Sequence, residues 1–265
     1  MSEEDRFWFE DVKYRILEGK DGVREAYDSM ASSYDCSKFL YWTRKMEEAE
    51  ERIVKRWLCH FSGVCLDVGC GTGKYALKIS EEGVEVVALD LSSSMLERLK
   101  WKAKKGESYG RINIVIGDGE HLPFRKDSFD SLVCALAFDH LKNCHQAAEE
   151  FSRVLKSSGL GMVSVFNSRM LGDFQERYGF LDKVPFRTEE MEPVLVFEVG
   201  HSAGEIAEIF SKCNISVEET KGCCYWHLLP IFKIFYPFWL DSFFNLLRGM
   251  LKHAEIHAVL MKKEK

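Results

Sequence analysis

The chain reads as an α/β protein built on a doubly wound, mostly parallel sheet, and three observations carry that reading. From Val64 onward, short apolar runs alternate with segments of helical spacing, which is how strands linked by crossover helices look in sequence. The first run, Val64–Val68, passes directly into a turn with glycine at Gly69, Gly71 and Gly73, and then into a helical pattern. The second run, residues 84–89, ends at an acid, Asp90. Open α/β sheets bind ligands outside the carboxyl ends of their strands, where the glycine turn and Asp90 both fall.

In chain order, residues 23–58 have helical periodicity with many charges and aromatics, suiting a helical cap. Residues 73–82 form the first helix of the core. After the strand at 84–89, LSSSMLERLKWKAKK reads as a helix whose Ser94 and Glu97 stand at capping-box spacing. Strands follow at Ile112–Ile116 and 129–137, a helix at 146–155, and a fifth strand at 160–166 entered through Ser158-Gly159. Residues 167–192 read as an irregular polar segment. A helix at 201–213, a strand at 215–220, an aromatic stretch at 225–251 and a last strand at 256–261 complete the chain. The expected organisation is one domain: a helical cap over 1–61, a cofactor-binding core over 62–166, and substrate-side segments over 167–265.

With 265 residues, 46% hydrophobic and 13% aromatic, the chain can bury a substantial core. A net charge of −6 argues against a general nucleic-acid surface. The basic run KWKAKK (Lys100–Lys105) reads as the solvated end of a helix, where cations suit the helix dipole. Nine cysteines are scattered without any C-x-x-C pair, which supports neither a zinc ribbon nor a thioredoxin-type site and fits a reducing, cytoplasmic setting. No metal is expected. The N-terminus MSEEDRFWFED is acidic and has no apolar stretch of the secretory kind.

The glycine spacing discriminates among cofactors. A dinucleotide fingerprint would read G-x-G-x-x-G and a P-loop would need G-K-[ST], whereas here Gly73-Lys74 precedes Tyr75 and an acid, Asp67, stands two residues before Gly69. A carboxylate at Asp90 can accept two hydrogen bonds from vicinal ribose hydroxyls. The D-x-G-x-G-x-G form resembles motif I of the class I S-adenosylmethionine-dependent methyltransferases. Together LDVGCGTG, ALDLSSSML, GDGEHLPF, SFDSLVCALAFDHL and EFSRVLKSSGLGMVSVF resemble the small-molecule members of the ubiquinone/menaquinone-biosynthesis type, over roughly Tyr27 to Phe166.

The expected architecture is a Rossmann-like, mostly parallel sheet of seven strands with a helical N-terminal cap and, from the aromatic stretch between the last two strands, a helical insertion. The resemblance implies S-adenosylmethionine as cofactor. By position, the cofactor contacts would be Asp67, Gly69, Cys70, Gly71, Gly73, Asp90, Leu91, Met95, Asp118, Gly119, Glu120 and Ala135. Tyr27 and Tyr34 would join them from YDSMASSYD. Asp118 would accept from the adenine amino group. The chain departs from the pattern in three places: Ala135-Leu136-Ala137-Phe138 replaces the N/D-P-P-Y loop of DNA and protein N-methyltransferases, Asp139-His140 stands for a pair of histidines, and Lys156-Ser157-Ser158-Gly159 for K-P-G-G.

A catalytic base is needed only where the nucleophile carries a proton of high pKa. His140 is then the best-placed candidate, with a packing or capping histidine as the plainer reading; His201 and His227 stand behind it. Residues 225–251 are too aromatic for a solvated helix, and Pro230, Lys233, Pro237 and Asp241 interrupt them too often for a membrane span. They read as a lid over an apolar pocket, a dimer surface, an interfacial membrane contact, or core packing. The function expected is methyl transfer to a small apolar or planar acceptor, with no nucleic-acid partner, no stable membrane insertion, and a homodimer as one option. The alternatives are a cofactor-binding regulator without turnover and an NAD-dependent oxidoreductase.

Overall fold

Residues 12–36, 44–106, 110–225, 239–247 and 250–265 are described by a computed structural model. Its main sheet has seven strands: β2 (Val64–Val68), β3 (Glu85–Asp90), β4 (Ile112–Ile116), β5 (Phe129–Ala135), β6 (Leu155–Phe166), β9 (Ile215–Cys223) and β10 (Ile256–Lys263). Their spatial order is β4-β3-β2-β5-β6-β10-β9. The first five are parallel, and β10 runs antiparallel to both of its neighbours. The chain leaves β2 outward through β3 and β4, then returns to β5 on the other side. That reversal opens a crevice above the carboxyl ends of β2 and β5.

Helices cover both faces. One side carries α3 (Lys74–Glu81), α4 (Ser93–Lys105) and the cap helices α1 (Gly19–Met30) and α2 (Arg44–Leu58). Here Ala26, Met30, Met46 and Trp57 pack with Ile79, Leu96 and Leu99 in one buried cluster. The opposite side carries α5 (Cys144–Val154) and α7 (Ala203–Ser211), whose Phe151, Ile206 and Phe210 pack with Phe138. Buried on both faces, the central strands are near-continuous apolar runs, as parallel sheets require.

Two expectations are corrected. Ser92, in an extended conformation, caps α4 and accepts from Met95 N at 3.1 Å. Ser94 lies inside the first turn, and its N–H donates to the Asp28 carboxylate from α1 instead. Residues 167–192 are not irregular. Asn167 caps α6 (Ser168–Tyr178), and β7 (Lys183–Arg187) follows. β7 pairs with β8 (Pro193–Phe197), which pairs in parallel with β1 (Arg15–Leu17), giving a second sheet in the order β1-β8-β7. Pro185 lies on an edge strand and Pro193 at a strand start, the two places where a missing N–H is tolerated. No described helix is long and apolar enough to cross a membrane.

Candidate functional site

A cavity of about 370 Å³ sits in the crevice above β2, β3 and β5, within the size range of small-molecule sites. Its floor is the glycine turn. Gly69 has φ +66°, and a Cβ there would stand 2.4 Å from that of Ala137. Its N–H donates to Leu89 O, as does that of Cys70, which locks the turn onto the end of β3. Gly71, at φ +51°, faces open space, and its N–H donates to Asp90 Oδ2 at 2.8 Å. Gly73 does not line the cavity. At φ +88° it starts α3, and a Cβ would strike Leu99.

Two acids face the cavity from strand ends. Asp67 is buried, and its Oδ2 finds no hydrogen-bond partner among the described residues; burial pushes its carboxyl up to about 7. Asp90 accepts from Ser92 N and Gly71 N, one bond per oxygen, so each oxygen keeps a lone pair for a ligand hydroxyl. Burial raises its pKa as well. Thus an orphaned acceptor, a carboxylate with spare capacity and a turn without side chains converge on one space, and these residues fit a cofactor with ribose hydroxyls and a cationic centre.

The remaining residues named from sequence divide in two. Tyr27, Tyr34, Cys70, Leu91, Gly119 and Ala135 also line the cavity. Met95 is fully buried beneath it. Asp118 and Glu120 are turned to Lys20 of α1, whose Nζ lies 2.5 Å from Asp118 Oδ2 and 2.8 Å from Glu120 Oε2. Burial alone would raise Asp118, but the bonds from Lys20, Glu120 N and His121 hold it below the usual range. Glu120 also accepts from Asn143 N. These two acids therefore anchor the cap beside the cavity and do not line it.

Sequence reasoning missed the residues that bind the cap to the core. Val23 and Arg24 of α1 line the cavity beside the expected Tyr27, so α1 is its roof. Asp28 on the same helix accepts from Ser92 Oγ at 2.6 Å. Asp35 accepts from Thr72 Oγ1 and Lys102 Nζ. Glu50 of α2, fully buried, accepts from Lys74, Tyr75 and Ser164. Each partner lies far away in sequence, and a charged residue in a helical pattern reads as a solvated one.

His140 follows β5 in a short 3-10 turn, Phe138–His140, and lines the cavity. Its Nδ1 lies 2.7 Å from Phe197 O, and its Nε2 2.7 Å from Tyr27 Oη. A carbonyl only accepts, so Nδ1 carries the hydrogen and Nε2 accepts from the Tyr27 hydroxyl. Burial pushes the imidazole down to about 4. Glu198 Oε2 is 3.6 Å from Nε2, and this buried carboxyl was not read from sequence. His201 stands apart, packed on Phe138 at 5.6 Å between ring centroids. His227, like Trp226 and Phe235 of the aromatic stretch, lies outside the described residues. Of that stretch, Tyr225 and α8 (Trp239–Leu246) pack together through Tyr225 and Phe244, and none of its described residues lines the cavity.

Comparison with known proteins places this arrangement. A methyltransferase-domain family model matches residues 66–163. The ubiquinone/menaquinone biosynthesis C-methyltransferase UbiE of Geotalea daltonii is 29% identical over 175 residues, which is 63% of this chain and 72% of that protein. The UbiE of Haemophilus ducreyi is 31% identical over 60% of this chain and 62% of its own length. Among solved structures, an S-adenosylmethionine-dependent methyltransferase of Methanosarcina mazei superposes with a TM-score of 0.59 at 17% identity, covering 80% of this chain and 97% of that one. The cyclase SpnF gives 0.65 at 14% identity, over 96% and 99%. At such identities structural likeness speaks for the fold alone, and the chemistry rests on the motif-bearing sequence match. The chain thus carries a methyltransferase domain that takes S-adenosylmethionine, and it is similar to the C-methyltransferases of ubiquinone and menaquinone biosynthesis.

Proposed function

We propose that this enzyme methylates a small, planar, largely apolar acceptor, and that a reduced quinone ring is the acceptor class it fits best. The observation that carries the reading is the mixed lining of one cavity. Asp67, Asp90 and the glycine turn share it with Tyr27, Tyr34, Leu136, Ala137, His140 and Leu141. Phe186 stands behind Tyr27 with ring centroids 5.6 Å apart. The UbiE relatives, named as quinone-biosynthesis C-methyltransferases, support the same acceptor class.

Bound against the glycine turn, S-adenosylmethionine would supply a methyl group activated by its sulfonium sulfur. In this proposal Asp90 holds the ribose and Asp67 stabilises positive charge. Gly69, Cys70 and Gly71 let backbone approach, while Leu91, Gly119 and Ala135 shape the walls. Tyr27 and the rest of α1 exclude water above. The protein's contribution is orientation in a dry site, which is most of what an in-line displacement needs. His140 is the base where the acceptor has a proton to lose. A cytoplasmic location accords with the scattered cysteines.

Calorimetry tests the first half: S-adenosylmethionine and S-adenosylhomocysteine bind, and NAD does not. An anaerobic panel of methyl acceptors tests the second, with 1,4-naphthalenediol and related hydroquinones expected to be methylated ahead of amines and thiols. Cofactor binding without turnover on any of them would favour a regulatory protein.

A further inference from the structure

Beyond cofactor binding, a second cluster of buried ionisable groups stands where Tyr27 and His140 line the cavity. It draws on three distant parts of the chain: Tyr27 from α1, His140 from the turn after β5, and Glu198 from the end of β8. The Tyr27 hydroxyl donates to His140 Nε2 at 2.7 Å, while the ring is held from behind by Phe197 O. Glu198 is almost wholly buried, its Oε2 is 3.6 Å from the same Nε2, and its Oε1 has no hydrogen-bond partner among the described residues. An unpaired buried carboxyl costs stability, so its place against an imidazole calls for a use.

We propose that Tyr27, His140 and Glu198 form a proton relay, and that the acceptor presents a phenol-class hydroxyl to Tyr27 Oη. This rests on the planar-acceptor reading above and adds to it the group that is deprotonated. With its own hydrogen given to His140, Tyr27 Oη has lone pairs free to accept from an acceptor hydroxyl. As that O–H bond breaks, its proton goes to Tyr27 and the Tyr27 proton to His140 Nε2. The electron pair stays on the acceptor, which becomes the nucleophile. The charge created on the imidazole meets the Glu198 carboxylate, and one proton is released overall. Tyr27 and His140 are the catalytic residues; Glu198 acts through His140 and is a positioning residue.

Among hydroxyl acceptors a phenol, whose pKa is about 10, yields its proton to such a relay far more readily than an aliphatic alcohol, and the ionised Glu198 beside Nε2 offsets the burial that disfavours the imidazolium. The aromatic wall selects the same class. Tyr34 and Phe186 flank Tyr27 at 6.0 and 5.6 Å between ring centroids.

The relay is ready only when Glu198 is ionised. Burial pushes its carboxyl up to about 8, so turnover rises as pH passes through that region. The other titratable and charged groups bearing on the cluster are Tyr34, Asp90 and Asp139, which all act to raise Tyr27, and Arg24, which lines the cavity from α1.

Two measurements test the relay. In protein saturated with S-adenosylhomocysteine, ¹⁵N-histidine spectra from pH 6 to 9.5 should show His140 neutral, with its hydrogen on Nδ1. Its ring shifts should step near pH 8, and Glu198→Gln should abolish the step. No step in the wild type overturns the proposal. With 1,4-naphthalenediol as acceptor, Tyr27→Phe should lower kcat about 100-fold or more, with cofactor affinity within a few-fold. Glu198→Gln should flatten the pH profile, and Glu198→Asp should restore part of it. Wild-type kcat and pH profile in both Tyr27→Phe and Glu198→Gln would also overturn it. A His140 step without methylation of the diol would instead remove the hydroquinone reading and leave the relay standing.

Discussion

At the scale of single residues the site is a set of acids held against their own preference for water. Asp67 is the plainest case, buried with one oxygen unpaired among the described residues and raised to about 7. Its folded pKa lies above its unfolded one, so it favours the ligand-free fold below pH 4 and loses that contribution as pH rises through about 7. Asp67→Asn should therefore flatten the fall in Tm between pH 4 and 7, measured by calorimetry without ligand. A cationic ligand favours the ionised form, so S-adenosylmethionine affinity should rise with pH over the same window and cease to do so in Asp67→Asn. Asp90→Ala removes a carboxylate already oriented by Gly71 and Ser92. The loss of a charged hydrogen-bonding group costs about 1.5–3 kcal/mol, so isothermal titration should show cofactor affinity weakened about 10- to 150-fold.

At the scale of elements, legibility follows the range of the interactions. The turn from β2 into α3 was readable because everything that shapes it is local: an apolar run, an acid, and glycines at positions of positive φ. Asp90 was readable because β3 is the next strand. The sheet β1-β8-β7 left no local trace. β1 has three residues, its partner β8 begins at Pro193, and β7 carries a proline. That sheet nevertheless brings Phe197 and Glu198 to His140, so the surroundings of His140 were the part of the site least visible in sequence. The cap was visible as helix and invisible as a roof, since its fastening depends on Asp28, Asp35 and Glu50 meeting distant partners. Asp28 serves as a cap from outside, bonding Ser92 Oγ and Ser94 N at the start of α4. Asp28→Ala should cost about 1 kcal/mol, the usual worth of a helix cap, and should speed proteolytic cutting within α1 while α4 stays protected.

For the whole molecule, the same fastening joins the described parts into one body. Trp57 of α2 donates to Glu219 of β9 at 2.7 Å, and Arg56 pairs with the same carboxylate. Glu50 reaches Ser164 on β6 at 2.6 Å. Cap, glycine turn and the far edge of the sheet thus share side chains, and we expect a single cooperative unfolding transition. Tryptophan fluorescence and far-ultraviolet circular dichroism should give coincident melting curves. Two separated transitions would mean that the cap folds as an independent unit.

Lys20 adds a kinetic consequence. It is fixed by two carboxylates of the loop after β4, with side chains about one-third exposed at the lysine and less at the acids. A roof fastened by charges at its rim is loosened by dissolved ions, which screen such pairs over about 8 Å at physiological ionic strength. Added salt should therefore quicken the exchange of bound S-adenosylhomocysteine in stopped-flow displacement. Lys20→Met should make that exchange fast and indifferent to salt. The traffic of ligand would then be paced by a helix rather than by the chemistry below it.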